Sequence, residues 1–322
     1  MISKNLLEIR DLVKHFPLKK TGLFQPPRYV FAVNGVSFSL KKGQTLGLVG
    51  ESGCGKTTTG RVILRLEEST SGVVEFEGRK VAQFNKKELK NFRESAQMIF
   101  QDPFASLNPR MNVGAIVEEP LLVHAIGNKA DRKDRVAAVL EKVGLEADYM
   151  RRFPHEFSGG QRQRIGIARV LTLNPKLIIA DEPLSALDVS IQAQIINLLV
   201  RLQEEFYLSY LFISHDLAVV EHIANRVAIM YLGKITEVAP STDLYSDPRH
   251  PYTKALLSSI PIPDPQAKME RQILQGDIPN PANPPSGCGF RTRCPIAKIV
   301  CRIESPKMVK VGKDHYAACH TL

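Results

Sequence analysis

Leu46 to Val49 is a short apolar run, and the nine residues after it, Gly50-Glu51-Ser52-Gly53-Cys54-Gly55-Lys56-Thr57-Thr58, match G-x-x-x-x-G-K-[ST]. A helical pattern continues through Leu66. A buried strand, a glycine-rich loop and a helix in that order fit an open α/β sheet. Glycines let successive backbone N–H groups wrap phosphate oxygens, here with Ser52, Gly53, Cys54, Gly55 and Thr58 around them. Lys56 is placed to reach the β/γ oxygens and Thr57 to offer a hydroxyl to Mg²⁺. Cys54 needs to supply only its N–H, so its thiol reads as a small filler. Alone, the pattern has chance matches.

A second stretch removes chance as an explanation. In Phe157 to Asp188, Ser158-Gly159-Gly160-Gln161 opens a helical pattern with Ile165, Ala168 and Leu171 at helical spacing. Ser158 suits an N-cap, and the two glycines leave N–H groups open to an anion at the positive end of the helix dipole. Asn174-Pro175 ends the helix. Leu177 to Ala180 is an apolar run of the kind buried in a parallel sheet, and it delivers Asp181 and Glu182 at its carboxyl end. One carboxylate can hold a metal while its neighbour orients a water. Ala96 to Phe100 reads as another buried strand ending at Gln101, and Tyr210 to Ile213 as one ending at Ser214-His215-Asp216.

These motifs, in this order, resemble the ATPase of ABC transporters over residues 6 to 240. The resemblance implies an α/β fold of the P-loop NTPase class, with a mixed central sheet, an antiparallel β subdomain and a helical arm over about 103–170. It implies ATP and Mg²⁺ as ligands, with Thr57, Gln101 and Asp181 on the metal. Glu182 would be the general base, with His215 and Gln101 completing the catalytic set. Ser158, Gly159, Gly160 and Gln161 would contact a nucleotide held by a partner chain, and Asp188 would close the D-loop. Phe16, at the end of the strand pattern Leu6 to Val13, is the implied adenine-stacking residue, with Tyr29 as rival because Lys19 to Arg28 reads as an insertion. Asp102 to Pro109 is punctuated as a loop, and the resemblance assigns it to docking on a membrane subunit. Val36 to Leu40 and Thr45 to Val49 read as successive strands of one sheet, and Val136, Val139, Leu140 and Val143 as one helix face behind the solvated run Lys129 to Arg135.

From Pro240 prolines crowd the chain, which marks a module over 241–322 beside an ATPase domain over 1–240. Asp247-Pro248-Arg249-His250-Pro251-Tyr252 resembles the C-terminal module of oligopeptide and dipeptide importers, and the chain as a whole resembles their F-type subunit. Cys288, Cys294, Cys301 and Cys319 fall at C-x₅-C-x₆-C-x₁₇-C. The resemblance implies a [4Fe–4S] cluster on these four thiolates within a small irregular module. Zinc is the alternative, although its usual C-x₂₋₄-C pairs are absent, and unliganded thiols come third. Seven basic residues against one acidic residue between Arg291 and Lys313 would offset the charge of a four-thiolate cluster. A tail so poor in core would use the metal as a staple and is expected to be separable from the nucleotide site.

A net charge of +10 suits anionic ligands and an anionic membrane surface, and no DNA- or RNA-binding motif accompanies it. No run approaches the ~20 apolar residues of a membrane span, and Met1 to Phe16 lacks a signal-peptide core. The expected place is therefore the cytoplasmic face of the membrane, peripherally bound. The expected partners are a second homologous ATPase, two permeases and an external peptide-binding protein. A nickel-complex or oligosaccharide importer, or a soluble ABC ATPase, are the competing readings.

Overall fold

The computed structural model describes residues 5–19, 27–102, 106–260, 272 and 274–322. Residues 20–26 of the expected insertion, 103–105 of the expected docking loop, and 261–271 and 273 lie outside the described residues. The strands are β1 (Asn5–Pro17), β2 (Tyr29–Lys41), β3 (Thr45–Val49), β4 (Ser71–Phe76), β5 (Arg79–Lys80), β6 (Ala96–Ile99), β7 (Leu177–Asp181), β8 (Ser209–Ser214), β9 (Arg226–Tyr231), β10 (Lys234–Pro240), β11 (Val309–Gly312) and β12 (His315–Ala317). The helices are α1 (Lys56–Ile63), α2 (Lys86–Ser95), α3 (Val113–His124), α4 (Lys129–Lys142), α5 (Gly159–Leu171), α6 (Val189–Phe206), α7 (Leu217–Ile223), α8 (Ser241–Ser246), α9 (Pro251–Leu257) and α10 (Val300–Ile303). Among the described residues no helix is long and apolar enough to cross a membrane.

Two compact units divide the chain, one of residues 1–40, 45–82 and 214–322, the other of residues 41–44 and 83–213. In the first, β2, β1, β4 and β5 form an antiparallel sheet in that order. Leu7 lies opposite Phe76 and Ile9 opposite Val74, and all four are buried. A separate set of strands begins at β3, which runs parallel to β9 with Val49 opposite Ile229. The expectation that Val36–Leu40 and Thr45–Val49 belong to one sheet is thus corrected. Between them Gly43 takes φ 70° and Gln44 N–H donates to Lys41 O, so the chain reverses and changes sheet.

The tail belongs to this same unit. β10 returns antiparallel on β9, β12 pairs with β10 with Ala317 opposite Glu237, and β11 pairs with β12. The carboxylate of Glu237 is fully buried, and every partner it uses comes from beyond Pro240. Oε1 accepts the Arg249 N–H at 2.7 Å and lies 2.7 Å from His315 Nε2, while Oε2 accepts the His250 N–H at 2.9 Å. A buried carboxylate is tolerated only when its lone pairs are filled in this way. Beside it, Phe290, Tyr252, Tyr231 and His250 pack ring to ring, with Tyr231 and Tyr252 centroids 4.7 Å apart. Burying a ring such as Phe290 contributes roughly 1.5–3 kcal/mol.

The second unit carries three parallel strands, with β7 between β6 and β8. Every residue of β7 and β8 is buried, which is why both read as continuous apolar runs rather than as alternation. The helical arm follows the expected pattern. Asn128 and Asp131 form a capping box at the start of α4, within the charged run, and Val136, Val139, Leu140 and Val143 are buried.

His250 generates a pH dependence. Its ring is 1% exposed, and burial pushes its pKa down from 6.5 to about 4, against the attraction of Glu237. The folded state therefore holds it neutral while the unfolded chain takes up a proton below about pH 6.5. Its contribution to stability is intact above that pH and is lost as pH falls toward 4, by about 3 kcal/mol in all. Unfolding midpoints measured from pH 7 to 4.5 should fall more steeply in the wild type than in His250→Asn, which keeps an acceptor for the Tyr252 N–H. Equal slopes would assign the acid sensitivity elsewhere.

Candidate active site

The glycine-rich loop is shaped by backbone packed against it from two sides. A Cβ on Gly50 would stand 2.1 Å from Met230 O, and one on Gly55 would stand 2.0 Å from Ala32 O. Gly55 also takes φ 108°, where a side chain is strained. Both glycines are therefore required by neighbouring backbone as well as by an incoming anion. Cys54 O accepts the Gly233 N–H at 2.9 Å, and its buried thiol is pushed above the ordinary thiol pKa by burial. The filler reading of Cys54 fits this. Lys56 is 4% exposed, and its Nζ donates to Gly50 O at 2.6 Å and to Glu51 O at 3.1 Å. Ser52 and Gly53 are exposed, and Thr57 and Thr58 are half-buried in the first turn of α1.

In the other unit, β7 delivers Asp181, 2% exposed, and then Glu182. Glu182 takes φ 45°, a left-handed conformation a glutamate adopts only when its surroundings fix it. Its N–H donates to Ile213 O at 3.0 Å. Gln101 follows β6, and its Nε2 donates to Glu182 Oε2 at 3.1 Å, so two residues 81 apart in sequence share one hydrogen bond.

Ser158 and Gln161 form a capping box on α5: Gln161 N–H donates to Ser158 Oγ at 3.3 Å, and Ser158 N–H donates to Gln161 Oε1 at 3.1 Å. A Cβ on Gly160 would stand 2.5 Å from Ile191 Cγ2, and one on Gly159 3.4 Å from Leu187, so these glycines also let α6 and its preceding loop approach. Asp188 caps α6, accepting the Ile191 N–H at 3.0 Å and the Ser190 hydroxyl at 2.8 Å, and these bonds hold its carboxyl below the usual range.

The four tail cysteines interact. Cys288 N–H donates to Cys301 O at 2.9 Å, and the missing Cβ of Gly287 lets that backbone pass. Burial raises the Cys288 and Cys294 thiols above their ordinary pKa, and each is raised further by the charges of Cys301 and Cys319. Among the described residues no three His, Cys, Asp or Glu side chains form a group able to hold a metal ion.

Residues 33–185 match the family described as ABC transporter, and residues 236–301 match the oligopeptide/dipeptide transporter C-terminal region. The oligopeptide transport ATP-binding protein AppF of Bacillus subtilis (strain 168) is 55% identical over 321 residues, covering 98% of this chain and 97% of its own. The chain belongs to the ATP-binding subunits of ABC transporters. OppF of Salmonella typhimurium, an oligopeptide transport ATP-binding protein, is 54% identical and is covered over 96% of its length. Among solved structures, the ATP-binding cassette MJ0796 in a dimeric post-hydrolysis state with ADP and Pi is 28% identical, with a TM-score of 0.63 over 73% of this chain and 98% of that one. The fold is accordingly the expected ABC type of P-loop NTPase, and the chain is an ATPase.

Other expected residues of this ATPase stand as follows. His215 is exposed, between the end of β8 and Asp216, which caps α7. Phe16 is half-buried near the end of β1, with Lys14 Nζ 4.6 Å from its ring centroid. Tyr29, at the start of β2, is 38% exposed. Sequence reasoning missed Glu51, Tyr252 and Arg293. Glu51 occupies a free position of the loop motif, yet its N–H donates to Tyr252 Oη at 3.1 Å, and its carboxylate accepts two hydrogen bonds from Arg293, at 2.6 and 3.0 Å. The tail is therefore bonded to the phosphate loop through Tyr252 and Arg293. An arginine beside a cysteine carries no spacing signal that would reveal a partner 242 residues away.

Gly55→Ala should lower ATP affinity at least tenfold, because its Cβ meets Ala32 O and its φ is strained. Titration with a fluorescent ATP analogue checks this, and wild-type affinity would show the loop to be more pliant than its packing suggests.

Proposed function

We propose that this ATPase powers uptake of dipeptides or oligopeptides, bound peripherally at the cytoplasmic face of the membrane. The observation that carries the reading is the match of residues 236–301 to the oligopeptide/dipeptide transporter C-terminal region, joined to full-length similarity with two oligopeptide transport ATP-binding proteins. Permease subunits and an external binding protein are the partners, with a second homologous ATPase as the other half of a heterodimer. The ATPase domain takes residues 1–240, with its helical arm at about 103–170, and the tail module takes 241–322.

Within that reading each site residue has a role grounded in its chemistry. Gly50, Ser52, Gly53, Cys54, Gly55 and Thr58 line the phosphates with backbone and hydroxyl groups, and Phe16 stacks on adenine. Lys56, held beside the loop carbonyls of Gly50 and Glu51, is within the loop to meet the β/γ oxygens. Thr57, Asp181 and Gln101 would hold Mg²⁺, which when bound would supply positive charge toward the phosphate oxygens. Glu182 accepts the proton of the attacking water, while Gln101 and His215 orient that water and the γ-phosphate. Ser158, Gly159, Gly160 and Gln161 contact the partner's nucleotide, as suits a capped helix N-terminus, and Asp188 orders the D-loop beside them. Turnover of Glu182→Gln should fall by two to four orders of magnitude while ATP binding persists. Turnover near wild type would place the base elsewhere.

Cys288, Cys294, Cys301 and Cys319 hold a [4Fe–4S] cluster. Support comes from the donor set itself: four soft thiols in one short tail, of which Cys288 and Cys294 are raised by burial and then by the charges of their cysteine neighbours, so that their ionised form calls for a cationic centre. Protein purified without oxygen should carry iron and acid-labile sulfide at about four each per chain. Zinc alone would make the tail a zinc staple.

A further inference from the structure

We propose that Arg293 is a positioning residue for nucleotide binding: by pairing with Glu51 it neutralises the one carboxylate in the phosphate loop and ties the cysteine module to ATP affinity. The proposal rests on the loop's being an ATP site.

All three handles of Glu51 are engaged. Its carbonyl accepts Lys56 Nζ, its N–H donates to Tyr252 Oη, and its carboxylate takes the fork of Arg293. Glu51 therefore stands beside the cation of the anion site while carrying a charge of the wrong sign. The loop motif leaves this position open to any residue, so nothing in phosphate binding calls for a glutamate. A carboxylate there opposes every added phosphate charge, and low local dielectric strengthens the opposition. The guanidinium removes it. Arg293 is 8% exposed against 25% for Glu51, and its carbon lies 6.0 Å from the Tyr231 ring centroid, so it is a desolvated, planar and bidentate partner rather than a mobile surface cation.

The position of Arg293 is set by the module. It immediately precedes Cys294, and its N–H donates to Phe290 O at 3.0 Å. Phe290 is 2% exposed and packs on Tyr252, the residue whose hydroxyl holds the Glu51 N–H. A disturbed cysteine module would displace Arg293 and uncover the carboxylate. The tail thereby gains a route to the nucleotide site without contributing a residue to catalysis.

The test is titration of the purified full-length chain with a fluorescent ATP analogue, with the thermal unfolding midpoint and resistance to limited proteolysis as the readout of an intact tail. Arg293→Gln should weaken binding about tenfold with the tail still folded and protease-resistant, and adding Glu51→Gln should restore affinity to within about threefold of wild type. Glu51→Gln alone, which leaves the tail sequence intact, should bind ATP at least as tightly as wild type. Unchanged affinity in Arg293→Gln overturns the proposal. So does a double variant as weak as the single one, or a tenfold loss in Glu51→Gln alone, because a mere tether would behave that way. A wild-type chain without nucleotide affinity would sink the ATP reading itself, and this proposal with it.

Discussion

The tight approach of backbone to the phosphate loop is the constraint on which the site depends. Gly50 and Gly55 let the loop lie against the carbonyls of Met230 and Ala32, where no Cβ fits. The loop is thereby shaped by its packing between β9 and β2, which lowers the ordering cost of binding an anion. Gly233 reinforces the arrangement by donating to Cys54 O while its own carbonyl accepts the Asn34 N–H. Lys56 donates to two carbonyls of the same loop, which holds its cation beside the glycines.

The tail is fastened to the same frame by a second polar device. Glu237 is a fully buried carboxylate on β10, and its hydrogen bonds reach Arg249, His250 and His315. Any of these lost would leave a lone pair of a buried carboxylate unsatisfied in a low-dielectric interior. Together with the Phe290, Tyr252 and Tyr231 cluster, it gives the described part of the tail a small aromatic core shared with β9.

In the other unit the chemistry-bearing residues sit where regular structure ends. Asp181 and Glu182 leave a buried parallel strand, Gln101 leaves its neighbour, and Ser158 and Asp188 open helices by accepting orphan N–H groups. Strand ends and helix starts are the places where polar groups can be held rigidly while still facing a ligand. The left-handed Glu182 shows how far that rigidity goes.

The local part of this was readable in the order of residues. A buried strand, a glycine loop and a helix at 46–66, a capped helix at 158–171, and carboxylates after an apolar run all follow from short-range chemistry, and their combination resembled one family. Four cysteines crowded into a proline-rich tail were equally plain. What the sequence could not determine were the pairings that close long loops. β2 and β3 joined different sheets, β12 found β10, and Glu51 found Arg293 across 242 residues. Such contacts carry no periodicity, because each is decided by which buried charge or unpaired strand edge remains to be satisfied once the sheets have formed, and only the folded chain brings those groups together.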